Sequence, residues 1–134
     1  RGLGDVYKRQ IFVHDRQRGE TQRVSVRTNG IQGDAGSYAP SISSDGRYVA
    51  FQSWAPNLVN GDTNGVTDIF VHDRQTGETR RVSVRTNGKQ GDGESYAPSI
   101  SSDGRYAAFY SYATNLVNKE TNGAADVFVT ELAP

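Results

Sequence analysis

The chain has 134 residues, the length of one ordinary domain, and its 15 lysines and arginines balance its 15 aspartates and glutamates. A net charge of zero without long charge runs disfavours nucleic acid or an anionic membrane surface as a partner. No apolar stretch approaches the ~20 residues that span a bilayer, and the absence of cysteine excludes disulfides, thiolate metal sites and cysteine nucleophiles.

The first ten residues, RGLGDVYKRQ, have no counterpart elsewhere in the chain. They are what the codons cgt ggg ctc gga gat gtg tat aag aga cag would encode, a string similar to an adapter used for sequencing libraries. We therefore expect residues 1–10 to be a non-native, adapter-derived leader and exclude them from fold reasoning. A divergent natural N-terminus is the alternative.

From Ile11 onward the chain repeats itself, because Ile11 matches Ile69 and Tyr38 matches Tyr96 at a constant offset of 58. A period of this length indicates a repeat architecture. The apolar fraction of 34% and the 15 glycines favour short strands and turns over amphipathic helices.

The elements begin with two strand-forming segments in residues 11–27 and continue with a complete set of four. The last of the four, TRRVSVR, alternates valine with polar residues, a period of two that predicts a strand with one wet face. The first three segments then recur within 97–131. The four strands of the complete set are expected at 39–43, 47–53, 68–74 and 79–85.

Two kinds of connection join these strands. SSDG (43–46) and QTGE (75–78) are tight turns in which glycine supplies a positive φ. Residues 54–67 and 86–96 are long connections. Alternate connections of an antiparallel meander lie at the same end, so we expect both long loops at one end, where function usually resides.

The segments PSISSDGRYVAFQS and DIFVHDRQTGETRRVSV resemble the repeats of TolB-type (WD40-like) β-propellers. The resemblance covers residues 11–134 and implies an all-β fold of propeller blades, each a four-stranded antiparallel meander. It also implies a periplasmic or extracellular location. It indicates no activity, because propellers serve many functions.

On this pattern the chain holds about two blades. Residues 11–27 are strands three and four of a split blade, 39–85 form a complete blade, and 97–131 are strands one to three of the split blade. Two blades cannot close a ring, and each blade buries its faces only against its neighbours.

We therefore expect the chain to assemble with copies of itself into a closed ring. A six-bladed homotrimer is preferred, and an eight-bladed homotetramer is next. Residues 11–16 and 127–132 both read as third strands and compete for one position, so the ring would involve a domain swap.

The first long loop contains NGDTNGVTD, in which oxygen-bearing residues alternate before a glycine, the ligand spacing of a Ca²⁺ loop. It resembles the calcium loops of integrin-type propellers. Each loop has only two carboxylates, so weak binding is expected, and an ion-free Asx turn is the alternative. The candidate ligands are Asn60, Asp62, Asn64, the Val66 carbonyl and Asp68, and in the second copy Asn118, Glu120, Asn122 and Asp126.

Aromatic residues flank the long loops beside acidic ones and suggest a face that stacks on a glycan or peptide. Aromatic packing between blades is the alternative. The candidate ligand-binding residues are Tyr38, Trp54, Tyr96, Tyr112, Asp34 and Asp92.

No catalytic set stands out. His14 and His72 occupy equivalent strand positions and read as packed or hydrogen-bonded residues, and Asp45 belongs to a turn. We expect a non-catalytic binding or scaffold module. The alternatives are a fragment of a carbohydrate- or peptide-processing enzyme, a lyase or hydrolase, and a truncation product that self-assembles without a selected function.

Overall fold

A computed structural model describes residues 9–60, 65–85, 87–117 and 125–132. Within these ranges the chain forms nine strands and no helix. None of the described residues therefore belongs to a helix that could cross a membrane. The strands are β1 (Phe12–Asp15), β2 (Glu20–Arg23), β3 (Ser37–Ile42), β4 (Tyr48–Ser53), β5 (Asp68–Asp73), β6 (Thr79–Arg81), β7 (Ser95–Ile100), β8 (Tyr106–Ser111) and β9 (Asp126–Glu131).

The strands form three antiparallel sheets in chain order. The first sheet is β1-β2, the middle sheet is β3-β4-β5-β6, and the third sheet is β7-β8-β9. The register repeats between sheets, since Phe51 pairs with Phe70 and Phe109 pairs with Phe128. The expected all-β fold of antiparallel meanders is confirmed.

The fourth strand of the middle sheet is shorter than the predicted 79–85, because β6 ends at Arg81. The Ile69 carbonyl still accepts from the Val82 amide at 2.8 Å. The Ile69 amide then donates to the Ser83 hydroxyl at 3.1 Å rather than to a backbone oxygen. Val84 pairs instead with Gln90. The backbone therefore leaves the sheet at the point where the Ser83 hydroxyl takes the place of a backbone acceptor.

A bulge interrupts the first strand of each repeat. The register of β3 shifts between Tyr38 and Ser41, and β7 shifts at the equivalent place. Ala39 and Ala97, each followed by proline, adopt φ of 56° and 55°. Proline has no N–H to donate to a ladder, so the bulge accommodates it at the cost of a left-handed alanine.

The apolar core lies between the sheets as two separate clusters. Alternate residues of β4 point to opposite faces, so Val49 and Phe51 pack toward the first sheet while Ala50 packs toward the third. Strand β5 divides in the same way, with Phe70 on one side and Ile69 on the other. The middle sheet is buried on both faces and is the centre of the fold.

Polar contacts also tie the middle sheet to the third. The Ser44 amide donates to the Ser102 carbonyl at 3.0 Å, and the Ile100 amide donates to the Ser41 hydroxyl at 3.0 Å. The stacking of the sheets is thus set by apolar packing together with hydrogen bonds between equivalent turns and between the first strands of the two repeats.

Candidate ligand-binding face

Three tyrosines form a ring cluster where the third sheet meets its long loop. Tyr96 of β7 pairs with Tyr110 of β8, and their ring centroids lie 5.5 Å apart. Tyr112 follows two residues later and meets Tyr96 and Tyr110 edge-on, each at 6.4 Å. With Tyr112 55% exposed, the cluster presents ring surface to solvent.

Tyr110 did not emerge from sequence reasoning. Its counterpart in the first repeat is Gln52, so the aromatic character is not repeated. The cross-strand register with Tyr96 was the available signal, because paired residues on one face lie close together.

Tyr38 and Trp54 occupy the matching positions of the middle sheet, and Trp54 is 60% exposed. Ring contacts among the described residues join the tyrosines of the third sheet but not these two. Arg9 lies over the Tyr38 ring at 5.6 Å, and the Gln52 Oε1 accepts from the Ala97 amide at 2.9 Å. The Gln52 side chain is therefore engaged with the third sheet, whereas the contact of Tyr38 is with a residue of the expected non-native leader.

Asp92 is held by Thr114, which follows Tyr112 by two residues. The Thr114 amide donates to Asp92 Oδ1 at 2.6 Å, and the Thr114 hydroxyl donates to Oδ2. These bonds, with that of the side chain foremost, lower the pKa of Asp92 and keep it ionised. At Asp34 the counterpart of Thr114 is Pro56, which has neither an N–H nor a hydroxyl, so that arrangement is specific to the third sheet.

Glu94 supplies a second carboxylate at the same end of the sheet. Its carboxylate accepts from the Thr67 amide, and its carbonyl accepts from the Tyr112 amide at 2.9 Å. Burial and the charge of Glu94 raise the pKa of Tyr96, so this phenol stays neutral and can donate. The face therefore combines aromatic surface, hydroxyl donors and anionic acceptors.

The predicted Ca²⁺ ligands that the structure describes contact protein groups. Asn60 Oδ1 accepts from Arg27 Nη2 at 2.6 Å. Asp68 is fully buried, with Oδ1 accepting from the Ser83 hydroxyl at 2.8 Å and Oδ2 lying 4.0 Å from Arg81 Nη1. The Val66 position is half-buried.

Asp126 is half-buried at the start of β9. In the parts of the chain that the structure describes, no three or more of the histidines, aspartates and glutamates come together as a metal site. The site stays a prediction, since five of its proposed ligands lie outside the described residues: Asp62, Asn64, Asn118, Glu120 and Asn122.

Each histidine forms a hydrogen bond with a threonine on the neighbouring strand. His72 is buried, and its Nδ1 lies 2.7 Å from Thr79 Oγ1. Because that hydroxyl donates to the Val26 carbonyl, it accepts from the imidazole. Burial lowers the pKa of His72 and favours its neutral form. His14 makes the same bond to Thr21 on the exposed first sheet.

No protein-family model matches the chain, and no curated protein does. Among solved structures, the crystal structure of the tricorn protease aligns over 78% of this chain and 9% of its own, with 21% identity and a TM-score of 0.50. The crystal structure of TolB from Acinetobacter baumannii aligns over 87% of this chain and 25% of its own, with 22% identity and a TM-score of 0.41.

The four-stranded meander of the middle sheet, the two- and three-stranded sheets that repeat parts of it, and the likeness to the tricorn protease define the fold as β-propeller blades. The β-propeller fold expected from the sequence is confirmed. The chain spans a quarter or less of either matched chain, and identity at this level establishes the fold and no activity.

Proposed function

We propose that the chain is a non-catalytic binding module of a β-propeller and that the long-loop end of its third sheet binds a glycan. The observations that carry the proposal are the exposed ring of Tyr112, which Tyr96 and Tyr110 support edge-on, and the Asp92 carboxylate held by Thr114, two residues beyond Tyr112. An extracytoplasmic location, implied by the TolB-type resemblance, suits such a ligand.

The chemistry of this face matches that of a sugar. A pyranose has an apolar face of C–H groups that can lie on the exposed ring of Tyr112, an interaction of about 0.5–1.5 kcal/mol if it resembles an aromatic pair. Its hydroxyls can donate to the ionised Asp92, a bond of about 1.5–3 kcal/mol. Together these contacts would give selective binding of a sugar with modest affinity.

The divergence between the repeats supports a ligand at the third sheet. The positions that differ include 52, 54 and 56 in the first repeat and 110, 112 and 114 in the second. All three members of the second set take part in the cluster or in holding Asp92. This divergence supports placing the proposed glycan site in the second copy of the repeat.

Titration calorimetry with a panel of neutral oligosaccharides tests the proposal. We expect saturable binding by the full chain, with a loss of about tenfold or more for Tyr112→Ala, as for removal of a contact worth ~1.4 kcal/mol. Tyr106→Ala, at the tight-turn end of β8, is the matched control and leaves the affinity unchanged.

Two results would overturn the proposal. One is the absence of heat with every oligosaccharide. The other is a glycan signal that Tyr112→Ala and Tyr106→Ala change equally, which would place the ligand elsewhere. A basic peptide that binds instead, with an affinity that falls steeply with salt, would identify the face as an acidic peptide site.

A further inference from the structure

Among the residues that the structure describes, nothing packs on one apolar face of the third sheet. On β9, Val127 is 76% exposed and Val129 is 67% exposed. Their counterparts on β5, Ile69 and Val71, are buried against the third sheet. The repeat therefore shows what covers this face in the middle of the chain, namely the next blade.

The outer edge of β9 is also open. Within the described residues β9 pairs only with β8, whereas β5 also pairs with β6. A groove of about 520 Å³ follows this edge, lined by Arg80 of β6, Phe109, Leu116 and Phe128. The groove lies where a strand equivalent to β6 belongs.

Strand β2 is the repeat equivalent of β6, and in the described part of the chain each of them is the last strand of its sheet. Strand β2 pairs with β1 through four residue pairs, and β1 there lacks the second neighbour that its equivalent β5 has. Phe12 on β1 is 53% exposed, while its counterpart Phe70 is fully buried. Strands β1, β5 and β9 hold the same place in the repeat, so β1 and β9 are alternative partners for β2.

We propose that β2 of a second copy of this chain pairs with β9 and displaces β1 of that copy, so that the two molecules complete one blade between them. The register follows from β5 and β6. It places Phe128 opposite Arg23, Val129 opposite Gln22 and Thr130 opposite Thr21.

This exchange covers both open features at once. The added strand fills the groove along β9. Val127 and Val129 then take the places of Ile11 and Val13 and pack on the second copy's cluster around Phe51. Tyr110 shares this face with Val127 and meets the second copy as Gln52 meets the third sheet, whereas Tyr112 stays open as its counterpart Trp54 does. The second copy presents the same surfaces in turn, so the contact is head-to-tail, and three copies with two blades each close a six-bladed ring.

Engineered cysteines test the pairing directly, since the chain has none of its own. Thr21 and Thr130 belong to sheets on opposite sides of the middle sheet. In the exchanged pair their Cα atoms are about 4.5–5.5 Å apart, a distance that a disulfide spans. The T21C/T130C variant of the full chain is expected to form covalent oligomers under oxidation and to run as one chain after reduction.

A matched variant blocks the exchange. His14 faces Thr21 within one molecule, so H14C/T21C locks β1 onto β2 with an intrachain disulfide. Light scattering on a size-exclusion column should give a trimer for the wild-type chain and a single-chain mass for the locked variant, with the oligomer restored by reductant. Circular dichroism confirms that both variants keep their strands.

Three outcomes would overturn the proposal. They are a wild-type chain that stays monomeric at every concentration, a locked variant that still assembles, and a T21C/T130C variant that forms no bond between chains. Each would mean that something other than a second copy of this chain covers β9.

Discussion

Arg47 holds Asp73 through two parallel hydrogen bonds, Nε to Oδ1 and Nη2 to Oδ2, each 2.9 Å long. The pair joins the first residue after the hairpin turn to the end of β5, and the Arg47 guanidinium also lies 4.8 Å from the centre of the Tyr48 ring. The hydrogen bond from Arg47 is the main reason that the pKa of Asp73 falls to about 2.

This pair predicts a loss of stability in acid. The folded pKa of Asp73 is lower than the unfolded value of 3.8, so its contribution is complete above pH 4 and disappears as the pH falls toward 2. We expect about 1–2 kcal/mol, allowing for screening at the partly exposed Arg47. Urea unfolding near pH 5 and pH 2.5 measures it, and Asp73→Asn should flatten the difference.

The third sheet supplies the control for this experiment. Arg105 and Glu131 are the counterparts of Arg47 and Asp73, at 3.3 Å, and both are more than half exposed. Glu131→Gln should reduce the stability much less than Asp73→Asn near pH 5, because exposed ion pairs contribute little. Equal effects of the two substitutions would contradict the role assigned to burial.

His72 predicts a second pH dependence, at higher pH. Burial lowers its pKa below the unfolded value of 6.5, so the neutral form favours the folded state. Its contribution is present above pH 6.5 and is lost as the pH falls through the lowered folded pKa. Thermal melts across this range should show the wild-type chain losing stability more steeply than His72→Gln. His14→Gln removes the same bond at an exposed site and is the matched variant for the role of burial.

We expect substitution of Asp68 to lower the stability of the fold even when no metal ion is bound. Removing its charge weakens the bond from Ser83 and the interaction with Arg81, so Asp68→Asn should destabilise the fold by about 2 kcal/mol. Asp126→Asn should cost less, because Asp126 is only half-buried. Repeating both unfolding curves with chelator is informative, since a cost of Asp68→Asn that appears only with Ca²⁺ would assign the residue to an ion instead.

Phe70 and Phe12 occupy equivalent positions, but we expect their substitution by alanine to lower the stability by very different amounts. Phe70 stacks on Phe51 at 5.9 Å in the core, so Phe70→Ala should cost about 3–5 kcal/mol. If that variant fails to fold, Phe70→Leu gives a smaller loss on the same scale. Phe12→Ala should cost less than about 0.5 kcal/mol, as for other exposed positions. Similar losses from chemical denaturation would contradict the different burial of the two strands.

Much of the fold could be read from the repeat, and less of the site. The hairpin at Ser43–Gly46 was predicted from its glycine, and the strand DIFVHD was predicted from its β-branched residues. Both are present where they were expected. Tyr96 and Tyr112 were proposed as ligand-binding residues from their places beside the loops, and that role stays a prediction. Tyr110 and Thr114 were not, since their roles depend on cross-strand register and on a contact across the loop.

The sequence by itself determined the β-propeller fold, the length of the repeat and the positions of most strands, because these depend on local turn chemistry and on a period of two. Only the tertiary structure decided that Asp68 turns into the core and that Val127 is uncovered while Ile69 is buried. These outcomes depend on which sheet stacks on which face, and equivalent residues in a repeat differ only in their neighbours.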